Sequence, residues 1–96
     1  MKNGDYVVVR TYSAGVFAGT LASRKGQEVV LKNARRLWYW QGAATLSQLA
    51  MEGVKNPDAC KFPCEVAEIL LLQAIEVLSA TQIAKKSIGG VPVWKM

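Results

Sequence analysis

Hydrophobic positions fall into two rhythms along this chain. Through about residue 41 they come as short β-branched and aromatic runs separated by glycine-bearing turns. Tyr6 to Thr11 (YVVVRT) predicts a strand. Tyr12-Ser13-Ala14-Gly15 predicts a turn, with Gly15 free to take a positive φ. Val16 to Ala22 resumes a strand, in which Gly19 marks a bulge or a close approach. Ser23 to Gly26 is a second turn signal. Gln27 to Lys32 and then Arg35 to Gln41 predict a third strand, long or broken, with Asn33-Ala34 as its bulge or bend. Three strands joined by short turns make an antiparallel meander.

The rhythm then changes. Thr45-Leu46-Ser47-Gln48 fits a capping box, and Leu46, Leu49 and Ala50 follow at helical spacing until Gly53. Lys55-Asn56-Pro57-Asp58 reads as a loop. In Val66 to Leu78, Glu65, Glu68 and Glu76 suit a helical stripe, whereas the density of Ile, Leu and Val suits buried strands; the segment is read as two strands. Ser79-Ala80-Thr81-Gln82 matches a second capping box, opening a helix through Ile88 that Gly89-Gly90 ends. Val91 to Lys95 (VPVWK) reads as a short terminal strand, at a sheet edge because Pro92 has no amide hydrogen. The expected fold is α+β: a small twisted antiparallel β-sheet, an N-terminal three-strand meander plus C-terminal strands, with two short helices. A single domain spans residues 1–96.

Composition narrows the function classes. Hydrophobic residues are 51% of the 96, enough for a core, although so small a domain gains from oligomerisation. No apolar run approaches the roughly 18 residues of a membrane span. Met1 to Asp5 lacks the apolar stretch of a signal peptide, so an intracellular protein is expected. Cys60 and Cys64 are too few for a secreted disulfide framework and read as unlinked thiols. No metal site is expected, since zinc takes about four ligands and the chain has no histidine. A net charge of +5 points to an anionic partner, but the longest basic runs are pairs: Arg24-Lys25, Arg35-Arg36 and Lys85-Lys86.

Catalysis finds little support. Without histidine there is no imidazole base, and Gly15 and Gly19 do not make a phosphate loop. Only Lys61 lies near Cys60 or Cys64 to activate either thiol. The chain is read as non-enzymatic, with no cofactor.

Asn33 to Gln41 (NARRLWYWQ) is the most unusual stretch, two arginines followed by three aromatics. On a strand, Arg36, Trp38 and Trp40 share one face while Arg35, Leu37 and Tyr39 share the other. Arginine forks bind phosphate and aromatic faces stack on bases, so one face could hold both halves of a nucleotide. Trp38 and Trp40 equally suit the core or a subunit interface, with the arginines reaching to water. Weaker candidates are Arg10, Tyr12, Ser13 and Gly15 around the first turn, Ser47 and Gln48 at a helix start, and Lys61 and Phe62 in a loop. Trp94 and Lys95 near the C-terminus complete a neighbour's site or close the sheet.

The strings RTYSAGVFAG (Arg10 to Gly19), NARRLWYWQGAATLSQLAMEG (Asn33 to Gly53), CKFP (Cys60 to Pro63) and the VPVWK ending are similar to a family of small phage-encoded domains without assigned function. Through it the chain resembles the Thoeris anti-defence signal sponges. That resemblance implies a non-enzymatic protein of the infected bacterial cytoplasm. It would sequester a cyclic nucleotide immune signal, either a cyclic ADP-ribose isomer or a cyclic oligonucleotide, as a homo-oligomer (dimer or hexamer) with ligands at subunit interfaces. It also implies ligand contacts at Arg35 or Arg36 and at Phe62, with Arg10 in addition. Two rivals remain at this point. One is a small basic module for single-stranded nucleic acid; the other is a phage structural or interaction protein whose aromatics anchor an interface.

Overall fold

The computed structural model describes residues 1–96. The elements follow as β1 (Tyr6–Thr11), β2 (Val16–Lys25), β3 (Glu28–Arg36), α1 (Leu46–Glu52), β4 (Val66–Leu71), β5 (Ala74–Ser79) and α2 (Gln82–Gly90), with a 3₁₀ turn at Pro57–Ala59. The strands form one antiparallel sheet in the order β4-β3-β2-β1-β5. The α+β fold, the meander and the two strands of Val66 to Leu78 are as the sequence predicts.

The strand order has a geometric consequence. β4 and β5 are opposite edges of the sheet, yet only Leu72 and Gln73 separate them in sequence. The edges of a flat five-stranded sheet lie roughly 19 Å apart. Three peptide steps reach about 11 Å at most. The sheet must therefore curl until its edges meet at that turn. Two backbone bonds hold it there: the Tyr12 amide donates to the Gln73 carbonyl (2.9 Å), and the Ala74 amide donates to the Gln27 carbonyl (3.0 Å).

Curling gives the strands two dry faces, so Val7, Val8 and Val9 are all fully buried although they alternate sides. Val7, Val9, Phe17, Leu21, Val29, Leu31, Ala34, Leu71 and Ala74 form an inner cluster drawn from all five strands and from no helix. Val8 and Ala18 point outward, into a second cluster with Leu49 and Ala50 of α1, Ile88 of α2, and Leu37, Cys60 and Phe62 of the connecting segments. The ambiguous segment, Val66 to Leu78, forms the two edge strands, and these are mostly exposed instead of buried: Leu71 and Ala74 enter the inner cluster while Val66, Leu70 and Ile75 face solvent.

The helices are held by their caps. The Thr45 hydroxyl accepts from the Gln48 amide (3.1 Å), as the capping box requires, while the Gln48 carboxamide accepts from the Ala44 amide (2.8 Å). In α2 the cap is Thr81, which accepts from the Ala84 amide (3.1 Å); Ser79 instead ends β5. Thr81 also donates to the Met51 carbonyl (2.6 Å), joining the start of α2 to the end of α1.

Four expectations change. β2 continues through Ser23 and Arg24 to Lys25, so the turn expected from Ser23 narrows to Gly26 and Gln27. β3 stops at Arg36, so Trp38 and Trp40 lie beyond the strand, with only an isolated bridge between Tyr39 and Lys61. α2 runs through Gly89 and Gly90 instead of ending before them. Val91 to Lys95 does not join the sheet: Val93 makes one bridge to Phe62, and the Trp94 amide donates to the Phe62 carbonyl (3.0 Å).

Candidate functional site

The site begins with a bulge. Between Ala18↔Arg35 and Thr20↔Lys32, β3 carries one more residue than β2. The extra residue is Asn33, at φ 50°, a left-handed conformation that asparagine tolerates better than most side chains. Gly19 lies opposite. A Cβ there would come within 3.0 Å of the Lys32 carbonyl oxygen and 3.1 Å of the Ala34 Cα, so the strands approach as closely as they do only because that atom is absent.

The bulge shifts the alternation of β3 by one. Before it, Val29 and Leu31 face inward; after it, Ala34 and Arg36 do, and Arg35 turns outward. The neighbouring arginines thus reach opposite sides of the sheet.

Arg35 is 3% exposed. Its guanidinium donates to the carbonyls of Pro63 (2.9 Å), Ile88 (2.8 Å) and Phe62 (3.1 Å), and it lies 5.5 Å from the centre of the Phe62 ring. Ile88 is in the last turn of α2, where its carbonyl also accepts the Val91 amide (3.3 Å) and where a cation is favourable. Burial pushes the Arg35 pKa down, opposed by Glu65, Tyr6 and Cys64. Tyr6 shares this environment, and its phenol is pushed up to about 12 by burial and by the Glu65 carboxylate, against the pull of Arg35.

Arg36 is exposed, with its guanidinium 4.7 Å from the centre of the buried Phe17 ring. Neither of the two ion pairs in the chain, Arg10–Glu76 (3.2 Å) and Lys32–Glu68 (2.9 Å), involves it. Two cavities adjoin it, and Phe17, Arg36 and Ile69 line both. The larger, about 380 Å³, opens between the β1–β2 turn (Thr11, Ala14) and the end of β4 (Leu70, Leu71). The smaller, about 190 Å³, reaches Ala34, Pro63 and Val66. Together they form a groove beside β4, mostly apolar, with one cation at the middle.

The six candidate residues therefore separate. Arg36 lines the groove. Arg35 and Phe62 are interior, and their contacts are spent on packing and on backbone carbonyls. Arg10 is on the surface, paired with Glu76 across β1 and β5. Trp40 is half-buried against the helix-side cluster. Trp38 is exposed and stacked on Trp94. The expected single face of Arg36, Trp38 and Trp40 does not form, because β3 ends before the tryptophans. Phe17 and Ile69 carried no sequence signal as site residues; Phe17 is the cross-strand partner of Arg36 in the β2–β3 pair, and Ile69 comes from the neighbouring strand β4.

Both thiols are free, Cys60 buried and Cys64 exposed. No helix is long and apolar enough to cross a membrane.

A family model described as "Domain of unknown function (DUF6948)" matches residues 4–88, and the chain belongs to that family. No curated protein and no solved structure matches it.

Proposed function

We propose that this DUF6948 domain is a binding protein that captures a nucleotide-class anion, without transforming it, in the groove divided by Arg36. The observation that carries the reading is the placement of Arg36: an exposed guanidinium, free of any carboxylate partner, braced on Phe17 between two apolar cavities. A cation in the middle of an apolar groove suits a ligand with phosphates at its centre and flat groups at both ends. Cyclic dinucleotides have that layout, and cyclic ADP-ribose isomers offer a diphosphate with a single adenine. The larger cavity alone falls within the range of small-molecule sites. Arginine supplies a planar fork for phosphate, and apolar walls strengthen that contact by excluding water.

Sequestration of an immune signal in the cytoplasm of an infected bacterium requires tight binding and no turnover. Nanomolar affinity corresponds to about 12 kcal/mol. A groove that is open along β4 is better closed by a second copy. β4 is a free edge with Val66 and Leu70 exposed, and Leu72 just beyond it, which favours assembly as a dimer or hexamer.

The test is thermal unfolding with a panel of cyclic nucleotides and cyclic ADP-ribose isomers. A ligand at about 100 times its Kd adds roughly 2.7 kcal/mol, on the order of 10 °C in Tm for a domain this size. One compound should give such a shift and be recovered intact, and Arg36→Ala should abolish the shift. If no cyclic nucleotide moves the Tm, the reading is wrong.

A further inference from the structure

A second exposed cluster lies outside the groove and is independent of it. The rings of Trp38 and Trp94 stack with 9° between their planes and centroids 5.1 Å apart. They are 58% and 45% exposed. Trp94 is fixed by the hydrogen bond its amide donates to the Phe62 carbonyl, and Tyr39 beside the stack by its bridge to Lys61. Lys61 completes the cluster, with its ammonium 5.4 Å from the Trp38 centroid, 5.6 Å from Trp94 and 5.8 Å from Tyr39. A point nearly equidistant from both members of a stack lies beside it, not beyond either end. The ammonium therefore flanks the pair and covers neither of the outer indole faces.

We infer that this platform binds single-stranded nucleic acid, DNA or RNA, a class of ligand beyond the one assigned to the groove. An unpaired base extends the Trp38–Trp94 stack from one of its outer faces, and Lys61 meets the adjoining phosphate. Stacking on aromatic side chains beside a cation is the general physics of single-strand binding, and every base has the flat face it needs. Charge favours this partner over a protein. Lys61 has no carboxylate partner, Lys95 adjoins Trp94 in sequence, and the chain carries +5. The Gln41 carboxamide donates to the Tyr39 hydroxyl (2.8 Å) and adds a polar group beside the rings. A duplex keeps its base faces stacked internally, apart from those of its terminal pairs, and so offers the platform far fewer faces than a single strand does.

The experiment is fluorescence anisotropy with end-labelled 12-nucleotide oligothymidylate and oligouridylate, and with a 12-base-pair duplex, at low and high salt. Both single strands, or one of them, should bind at least tenfold more tightly than the duplex. Trp38→Ala and Trp94→Ala should each weaken single-strand binding about tenfold or more, while Trp94→Phe retains most of it. Lys61→Ala should flatten the salt dependence. Both indoles are exposed, so circular dichroism melts of these variants should match the wild type. Arg36→Ala, which disables the groove, should leave strand binding within about twofold, so failure of either site is visible separately. The inference is overturned if the duplex binds as well as single strands or if the tryptophan variants bind like wild type. It is also overturned if Trp94→Ala instead converts a dimer to a monomer in size-exclusion chromatography, which would assign the platform to a second copy of the chain.

Discussion

Arg35 and Arg36 are adjacent in sequence and opposite in circumstance. One is sealed between β3 and α2 with its donors on three backbone carbonyls; the other lies over Phe17 at the mouth of the curled sheet with no carboxylate partner. Both are arginines near an aromatic ring, so residue type and cation–π contact do not distinguish them. What distinguishes them is whether the guanidinium's hydrogen bonds are already committed. A buried cation that closes a helix end and ties down a loop is part of the scaffold, whereas an exposed one without such bonds is available to an outside anion.

The largest effect should come from Arg35. Arg35→Ala strands the Pro63 carbonyl, takes the second donor from the Phe62 and Ile88 carbonyls and opens a cavity beside Phe62, for a loss of about 3–5 kcal/mol in urea or guanidinium unfolding. Arg35→Lys keeps the charge but not the planar fork and should recover only part of that loss. Arg36→Ala, measured alongside, should change stability by less than about 1 kcal/mol. Equal losses at the two positions would break the comparison.

The bulge that separates the arginines comes next. Gly19→Ala places a Cβ against the Lys32 carbonyl and the Ala34 Cα, both backbone atoms that cannot swing aside. A destabilisation of about 1–3 kcal/mol is expected, by analogy with overpacked cores. Because the strain lies where β3 changes phase, the variant should also lose part of the ligand-induced rise in Tm while Arg36 is still present. A variant as stable as wild type would show that β2 and β3 can part without disturbing the site.

Much of this architecture was legible in the sequence, and the residues show where legibility ended. The β-branched runs of Tyr6 to Thr11 and Val16 to Ala22 marked strands, Thr45 with Gln48 marked a helix start, and Gly19 and Asn33-Ala34 marked the irregular region of the meander. These are local signals, set within a few residues. The direction of Arg35 and Arg36 was not legible, because it depends on which residue of the bulge is extra, and a shift of one reverses every side chain after it. Closure of the sheet was equally out of reach. It follows from β4 and β5 occupying opposite edges, a pairing between distant segments, and only closure sets Leu72 and Gln73 against the β1–β2 turn, where they wall the larger cavity. Trp94 was conspicuous as one of three tryptophans, but its partner Trp38 lies 56 positions away, beyond any periodicity.

The smallest effect sharpens the Arg35 side through pH. Tyr6 is held near Glu65 and Arg35 with its pKa raised from about 10 to about 12. The folded state therefore prefers the neutral phenol more than the unfolded chain does. Stability from this preference is fully present below about pH 10 and is lost as pH rises through 10 toward 12. Tyr6→Phe cannot ionise, so its unfolding free energy should fall less steeply over that interval than the wild type's, with little difference at pH 7. Lysine deprotonation contributes equally to both proteins and cancels in the comparison. The same measurement on Tyr6→Phe combined with Arg36→Ala should give the same difference, because Arg36 is on the other side of the sheet. In an Arg35→Ala background the phenol loses the nearby cation that favours its ionised form, so its titration should move still higher. If the Arg36 variant moved the Tyr6 titration as well, the two faces of the sheet would be electrostatically one environment. The separation of a structural arginine from a ligand-facing one would then rest on packing alone.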